Sequence, residues 1–258
     1  FNLLLIGRPC PSVSWASCHK AFDTVSHVKL LARLASYGIH GSLLAWIHEY
    51  FRNRTHRTRV GSANSQSIPM TSGIIQGSII GPLMFLTFIN ELIEILDSLG
   101  IKVKVFADDF KLYVRIINSV DVDRLQNALD ALSVWADKWQ LQISVDKCCV
   151  LCIGKADCNT TLKINGHVLP PLSQCRDLGV TITRDLTPTV HIDQIIVKAH
   201  QRANSILRCF VSRDRNTLVR AFVTYVRPLV EYNSVVWSPY LKQDIDRIER
   251  VQRCFTNR

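Results

Sequence analysis

Two adjacent aspartates, Asp108 and Asp109, stand between two short apolar runs in the segment VKVFADDFKLYV. Both runs are typical of β-strands, which predicts a hairpin with the two carboxylates at its tip. Paired carboxylates repel each other unless a cation or a hydrogen-bond donor compensates. Short aspartate side chains also suit a hard divalent ion such as Mg2+. The pair therefore indicates a metal site, although Asp-Asp also occurs as a simple turn dipeptide.

The segments around this hairpin predict a mixed α+β domain. Apolar spacing predicts helices over 26–38, 42–52, 77–96 and 121–140. Strand-like runs lie at 59–60, 67–70, 141–145, 148–153 and 178–183, and Asn165-Gly166 marks a hairpin within 162–169. Beyond the last of these strands, helices are predicted over 189–210, 214–230 and 242–254.

The expected organisation is therefore an α+β domain over 17–183, with an antiparallel sheet and packed helices, and an all-helical region over 184–258. Residues 1–16 show no clear period and remain unassigned, with foreign origin as one alternative.

The charge is distributed unevenly along the chain. Its net value is +10, with 8 Lys/Arg against 2 Asp/Glu in residues 1–60 and 13 against 7 in residues 184–258. Residues 61–183 carry 10 against 12. Basic flanks around a slightly acidic centre fit a polyanion held by the flanks and a cation in the middle, although ordinary solvated lysines and arginines would give the same totals.

The remaining composition indicates a globular intracellular protein. The apolar stretch at residues 1–6 is too short to span a membrane and lacks the features of a signal peptide. The nine cysteines are scattered, so we expect reduced thiols. Cys149 and Cys152 have the spacing that begins a zinc site, but no second ligand pair follows. The expected location is the cytoplasm and nucleus.

Several motifs resemble, in order, the reverse-transcriptase domain of non-LTR retrotransposons of the LINE kind. The matching segments are KAFDTVSH at 20–27, SGIIQGSIIGPL at 72–83, FADD at 106–109, VDKC at 145–148, DLGV at 177–180 with His191, VRPLVEY at 226–232, WSP at 237–239 and ERVQR at 249–253. The resemblance covers roughly residues 19–258. It implies a polymerase palm with partial fingers, followed by a thumb-like helical domain.

The resemblance also implies a reaction and its partners. The family synthesises DNA on an RNA template from a DNA primer and dNTPs, with two Mg2+ ions or alternatively Mn2+. By position, Asp108 and Asp109 would bind metal, and Lys147 would assist the leaving phosphate. Phe22 would lie under the sugar of the incoming nucleotide. Gln76 and Gly77 would line the nucleotide and template groove. In each case a structural role is the alternative: core for Phe22, helix start for Gly77, surface for Lys147.

The sequence departs from the family at a metal ligand. The family carries an essential aspartate six positions before the Asp23 equivalent, and this chain has Ser17 there. A neutral hydroxyl is a poor magnesium ligand. Asp23 is too distant along a strand to replace it and is expected to cap the helix that begins near Ser26. No family resemblance is visible before residue 17, and Ile75 stands where a proline is usual. We therefore expect an N-terminally truncated domain with impaired activity.

Other interpretations remain open at this stage. One is a catalytically inactive remnant that still binds nucleic acid, and another is a pseudogene product whose sheet lacks strands and has open edges. An endonuclease is disfavoured because no second acidic cluster occurs. A helix-turn-helix over 189–230 explains those helices less well than a thumb does. The oligomeric state cannot be predicted from these features.

Overall fold

The computed structural model describes residues 10–18, 21–154, 161–211 and 214–257. The helices are α1 (Ala21–Thr24), α2 (His27–Ser36), α3 (Gly41–Phe51), α4 (Gly81–Ser98), α5 (Ser119–Trp139), α6 (Thr189–Cys209), α7 (Arg215–Tyr225), α8 (Arg227–Glu231), α9 (Ser234–Trp237) and α10 (Lys242–Thr256). The strands are β1 (Cys10–Cys18), β2 (Thr55–His56), β3 (Arg59–Val60), β4 (Ala63–Asn64), β5 (Ile68–Pro69), β6 (Lys102–Phe106), β7 (Asp109–Ile116), β8 (Ile143–Cys152), β9 (Lys163–Ile164), β10 (His167–Val168), β11 (Pro171–Leu172), β12 (Gln174–Asp177) and β13 (Val180–Thr183).

The chain divides into two compact units, Phe1–Leu172 and Ser173–Arg258. The division falls before the composition change at residue 183 because β12 and β13 pair with each other rather than with the strands of the first unit. β13 contacts α6 instead. The second unit is therefore helical with one small hairpin.

A five-stranded sheet in the order β11-β8-β1-β7-β6 forms the centre of the first unit. Its pairs are antiparallel except β11 with β8, which is parallel. The expected antiparallel sheet is therefore correct for all but one pair. The central strand is β1, which hydrogen-bonds to β7 on one side and β8 on the other.

The position of β1 corrects the interpretation of residues 10–16 as unassigned. These residues belong to the middle of the sheet. Their sequence, CPSVSWA, mixes small polar and apolar residues, so no alternation marks it as a strand. Backbone hydrogen bonds to β7 and β8 hold these residues in a strand, although their local sequence pattern does not predict one.

Helices α4 and α5 are the two largest contributors to the apolar core of the first unit, with six buried apolar side chains each. The largest fully buried side chains are Phe85, Phe88, Phe110, Leu30, Ile89, Leu92 and Leu96. Phe110, Leu112 and Val114, on one face of β7, are buried, and Lys111 on the other face is buried as well. This core fixes the hairpin that β6 and β7 form.

One helix start, one strand boundary and one strand pairing differ from the sequence-based expectation. Helix α4 begins at Gly81, with Pro82 in its first turn, rather than at Gly77. The two strands expected over 141–153 are one strand, β8. The predicted return strand near residues 67–70 pairs with β2, while β3 pairs with β4.

The core of the second unit forms where α6 packs against α7, α8 and α10. It contains Ile192, Ile196, Ala199, Phe222, Val251 and Phe255, among others. The amphipathic pattern predicted these helices correctly, although the predicted 214–230 helix is two, α7 and α8, with Pro228 in the first turn of α8.

The cysteines depart from one expectation. Cys152 is disulfide-bonded, so the prediction of reduced thiols throughout is wrong at that residue. Scattered spacing cannot show which thiols the fold brings together. In the described part of the chain, no helix is both long and apolar enough to cross a membrane.

Candidate active site

The predicted hairpin exists, and its tip carries the two aspartates. Phe106 pairs with Asp109 as the last register pair of β6 and β7, so Ala107 and Asp108 form the turn. Ala107 has φ +52°, a left-handed conformation that costs a residue with a Cβ about 1–3 kcal/mol. Asp108 and Asp109 are both half-buried. The core therefore holds a strained turn with two carboxylates at its accessible end.

The neighbouring strands extend a row of residues from Asp109 across the sheet. Ser17 of β1 is the register partner of Asp109 on one side and of Ser144 on the other. Directly opposite residues of antiparallel strands share a sheet face. Position 17 is thus beside the hairpin tip, one strand away from Asp109.

A bulge in β8 adjoins this row. Trp15 pairs with Cys149 and Ser17 with Ser144, so residues 145–148 lie opposite Ala16 alone. Such an insertion bends a strand and redirects its side chains. Lys147 lies in the bulge and is exposed.

The thiol of Cys148 closes the bulge by donating to the Ser144 carbonyl at 3.1 Å. Burial raises the pKa of Cys148 to about 12, so it remains a neutral thiol. Burial also raises the pKa of Cys149. Neither side chain is a reactive thiolate.

A second group of predicted residues forms around α1. The rings of Phe22 and Phe85 stack with centroids 4.1 Å apart and an interplanar angle of 21°. Phe85 is fully buried, whereas Phe22 is half-buried. Phe22 therefore rests on the core with one part of its ring accessible, which is compatible with both its structural and its functional interpretation.

Residues 72–77 are hydrogen-bonded to α1 and the residues that follow it. The amide of Ile74 donates to the Phe22 carbonyl at 2.7 Å, and the amide of Gly73 to the Val25 carbonyl at 2.8 Å. His27 Nε2 donates to the Gly73 carbonyl at 2.8 Å. Three bonds thus connect two motifs that lie about fifty residues apart in the chain.

Asp23 contacts the same segment, which corrects its expected role. Gln76 Nε2 donates to Asp23 Oδ1 at 3.0 Å, and Ser72 Oγ donates to the Asp23 carbonyl at 3.2 Å. Helix α2 has Ser26 at its N-cap and no side-chain cap bond. Asp23 therefore orients Gln76 rather than capping α2, a role that a local capping rule cannot detect.

The two glycines of this segment have different surroundings. A Cβ on Gly73, at φ +95°, would meet the Asp23 carbonyl oxygen at 2.8 Å. Gly77, at φ +84°, has open space around it and is exposed. Gly77 thus forms a turn before α4, and the helix-start interpretation of it is wrong.

The donor set at the hairpin tip fits a hard divalent ion only in part. Asp108 and Asp109 supply two carboxylates with oxygen donors of the required kind. The third position of the row is a serine, and no group of three or more potential metal-ligating side chains occurs in the described residues. The site therefore has two of the three carboxylates that the resemblance implies.

Comparison with known proteins identifies the class to which this fold and site belong. Residues 10–182 match the family described as reverse transcriptase (RNA-dependent DNA polymerase). The match covers more than half of the chain, so the chain belongs to the reverse transcriptase family. Because it begins at residue 10, the family region includes all of β1, earlier than the motifs alone indicated.

Similar proteins define the branch of the family. The chain is 27% identical over 254 residues to the probable RNA-directed DNA polymerase from transposon BS of Drosophila melanogaster, covering 90% of this chain and 27% of that protein. It is 24% identical over 243 residues to the polymerase from mobile element jockey of the same organism, covering 90% and 26%. These relatives confirm the resemblance to non-LTR reverse transcriptases. The chain spans about a quarter of the length of each.

A solved structure with partial similarity is telomerase from Candida albicans in complex with a fragment of telomeric RNA. The similarity covers 94% of this chain and 40% of the telomerase chain, with a TM-score of 0.43 and 11% sequence identity.

Proposed function

We propose that this chain is the palm and thumb-like part of an RNA-directed DNA polymerase whose nucleotidyl transfer is impaired at the metal site. The observation that carries the proposal is the register that pairs Ser17 with Asp109 beside the hairpin tip. In this proposal the carboxylates of Asp108 and Asp109 bind divalent ions, Mg2+ or Mn2+. Bound ions would supply activation of the primer hydroxyl and stabilisation of the leaving pyrophosphate.

The impairment follows from the chemistry of position 17. A carboxylate there would add a negative oxygen donor on the sheet face of Asp109, whereas serine adds a neutral hydroxyl. A missing bridging ligand costs several kcal/mol of transition-state stabilisation, and each ~1.4 kcal/mol is tenfold in rate. The unaltered chain should therefore extend primers slower by orders of magnitude than the variant with aspartate at position 17.

Other residues take supporting roles in this proposal. The half-buried ring of Phe22, held by Phe85, would contact the sugar of the incoming nucleotide. Gln76, oriented by Asp23, and Gly77 would line the nucleotide and template groove. Lys147, exposed in the bulge, would neutralise the leaving phosphate.

The partners in this proposal are an RNA template, a DNA primer and dNTPs, with the second unit acting as thumb. Template-directed synthesis of this kind belongs to the cytoplasm and nucleus, where template and nucleotides occur.

Primer extension on an RNA template with Mg2+ or Mn2+ tests the proposal. We expect trace incorporation by the unaltered chain and an increase of at least about a hundredfold in Ser17→Asp. Ser144→Asp is the matched control, because it adds the same charge on the other side of position 17 in the same row. Recovery restricted to position 17 would support a specific ligand role.

Two results would contradict the proposal. Robust synthesis by the unaltered chain would refute the impairment. Salt-dependent nucleic-acid binding without incorporation by Ser17→Asp would instead identify a catalytically inactive binding module.

A further inference from the structure

An exposed segment lies between α3 and the 72–77 loop. Every residue from 52 to 69 is exposed, and these residues form two short antiparallel pairs, β2 with β5 and β3 with β4. Thr58 and Ser65 connect the pairs, because the Ser65 amide donates to the Thr58 carbonyl and the Thr58 amide to Ser65 Oγ, both at 2.9 Å. We call residues 52–69 the arginine ribbon.

The arginine ribbon has no core of its own. Val60 is 76% exposed and Ile68 53% exposed, so burial contributes little to its stability. A two-stranded hairpin without a hydrophobic face is marginally stable in water. The ribbon thus lacks a packing role that would explain its side chains.

Its charge is of one sign. The ribbon carries four arginines, Arg52, Arg54, Arg57 and Arg59, together with His56, and no acidic residue occurs from residue 50 to residue 90. Concentrated positive charge on an exposed strand pair attracts a polyanion, and arginine bonds phosphate in a bidentate manner.

The arginines differ in how they are held. Arg52 pairs with Glu49 at 3.0 Å, and Arg54 donates from Nε to the Tyr50 carbonyl at 2.6 Å while its guanidinium lies over the Tyr50 ring. Arg59 Nε donates to the Gly61 carbonyl at 2.9 Å.

Among the described residues, Arg57 has no hydrogen-bond or ion-pair partner. Arg57 and Arg59 therefore present the most available guanidinium groups, and Arg54 anchors the ribbon to α3.

The ribbon leads directly to the proposed nucleotide and template groove. The Met70 amide donates to the Arg54 carbonyl at 2.8 Å, and the chain then continues into the loop that holds Gln76. A cavity of about 460 Å3 at this base is lined by Asp23, His56, Met70 and Ser72, among others. A strand bound along the ribbon would thus reach Gln76 without leaving the surface.

We infer that the arginine ribbon binds the phosphodiester backbone of the template strand. This inference rests on the proposed function for the identity of the partner, but the binding itself requires no catalysis. Arg57 and Arg59 make the phosphate contacts, and their action is independent of base sequence because phosphates carry no sequence information.

The test is binding of fluorescently labelled single-stranded RNA and DNA of one sequence to the full chain, by anisotropy across a salt series. Arg57→Gln/Arg59→Gln should weaken binding about five- to tenfold and reduce the salt slope by about 1.4, since each phosphate contact on a single strand contributes about 0.7. Arg115→Gln/Lys163→Gln removes the same charge from exposed residues outside the ribbon and should leave the slope nearly unchanged.

The outcomes are distinct. Equal losses on RNA and DNA, or a loss on RNA alone, support recognition of the template backbone, whereas a loss on DNA alone would overturn the inference. Equal weakening by both double variants, an unaltered affinity in the ribbon variant, or competition by polyglutamate as strong as by RNA would overturn the inference. If the proposed function is wrong, Ser17→Asp will not extend primers, while the ribbon variant will still bind nucleic acid more weakly than the unaltered chain. Matching thermal unfolding midpoints would exclude misfolding.

Discussion

Two hairpins of the first unit, β6–β7 and the arginine ribbon, differ in how they are supported. The β6–β7 hairpin belongs to the five-stranded sheet, and Phe110, next to Asp109, is fully buried. The arginine ribbon is exposed on every residue. A hairpin fixed by a core can hold two carboxylates in one geometry, whereas an exposed hairpin can adapt to a flexible strand. The two kinds of support match the proposed metal binding at the first hairpin and the proposed backbone binding at the second.

The largest expected effect separates the two hairpins kinetically. In the Ser17→Asp background, Asp108→Asn should lower kcat by about a thousandfold or more, because it removes a metal-binding charge. Arg57→Gln/Arg59→Gln in the same background should raise the KM for template far more than it changes kcat. Steady-state primer extension with varied template measures both. A ribbon variant that mainly lowers kcat would contradict the assignment of catalysis to the β6–β7 hairpin and of template binding to the ribbon.

The second prediction concerns stability. Phe110→Ala should lower the free energy of unfolding by about 3–5 kcal/mol, because it leaves a cavity in the core behind the hairpin tip. Val60→Ala in the arginine ribbon should change it by about 0.5 kcal/mol or less. Urea unfolding of both variants provides the comparison. Similar costs would show that the ribbon is packed in solution.

The third prediction addresses the loop that follows the ribbon. Gly73→Ala should cost about 2–3 kcal/mol, because its Cβ would lie 2.8 Å from the Asp23 carbonyl oxygen at a positive φ. Gly77→Ala is the control, with a similar φ and open space, and should cost about 1 kcal/mol. Thermal or urea unfolding distinguishes them. Equal losses of stability in the two variants would mean that the contact with the Asp23 carbonyl oxygen adds nothing to the backbone strain at position 73.

The smallest predicted effect compares a shielded ion pair with an exposed one at the first residue of the ribbon. Arg33, which lies over the Trp139 ring, pairs with Glu91, and Trp135 Nε1 donates to the same carboxylate at 2.9 Å. Glu91→Gln should cost about 1–2 kcal/mol at pH 7, because it leaves the buried guanidinium without its counterion. Glu49→Gln removes the exposed partner of Arg52 and should cost about 0.5 kcal/mol or less.

The cost at Glu91 should depend on pH with a defined sign. The Arg33 hydrogen bond, opposed by desolvation, holds the pKa of Glu91 below its ordinary value of 4.5. Its contribution is therefore complete above that ordinary value and is lost as the pH falls through the lowered pKa of the folded state. Urea unfolding of the wild-type chain and Glu91→Gln should converge at the acidic end of this range. A difference that persists there would exclude the carboxylate charge as its source.

Sequence reasoning succeeded where local pattern dominates. The β6–β7 hairpin follows from two apolar runs around Asp108-Asp109, and the Asn165-Gly166 turn connects β9 to β10 as predicted. Helix α2 ends at Ser36, just before Gly38 at φ +86°. In each case a period of two or 3.6, or a glycine-favoured turn, is visible in the residues themselves.

It failed where partners distant in the chain decide the structure. Strand β1 has no readable alternation, and only β7 and β8 define it. The Asp23–Gln76 bond joins residues that no spacing rule connects. The roles assigned to Ser17, Phe22, Gln76, Gly77, Lys147 and the two aspartates came from the order of family motifs, and they stay predictions until variants are assayed.

The central position of β1 has a consequence for any shortened form of this protein. Residues 10–17 each face a residue of β7, and β8 pairs along the opposite side. A chain that started at the KAFD segment would split the sheet into β6–β7 and β8–β11, each with a newly exposed row of peptide groups. Such a chain would self-associate through those rows, so a protein trimmed to its recognisable first motif should be recovered as aggregate rather than as monomer.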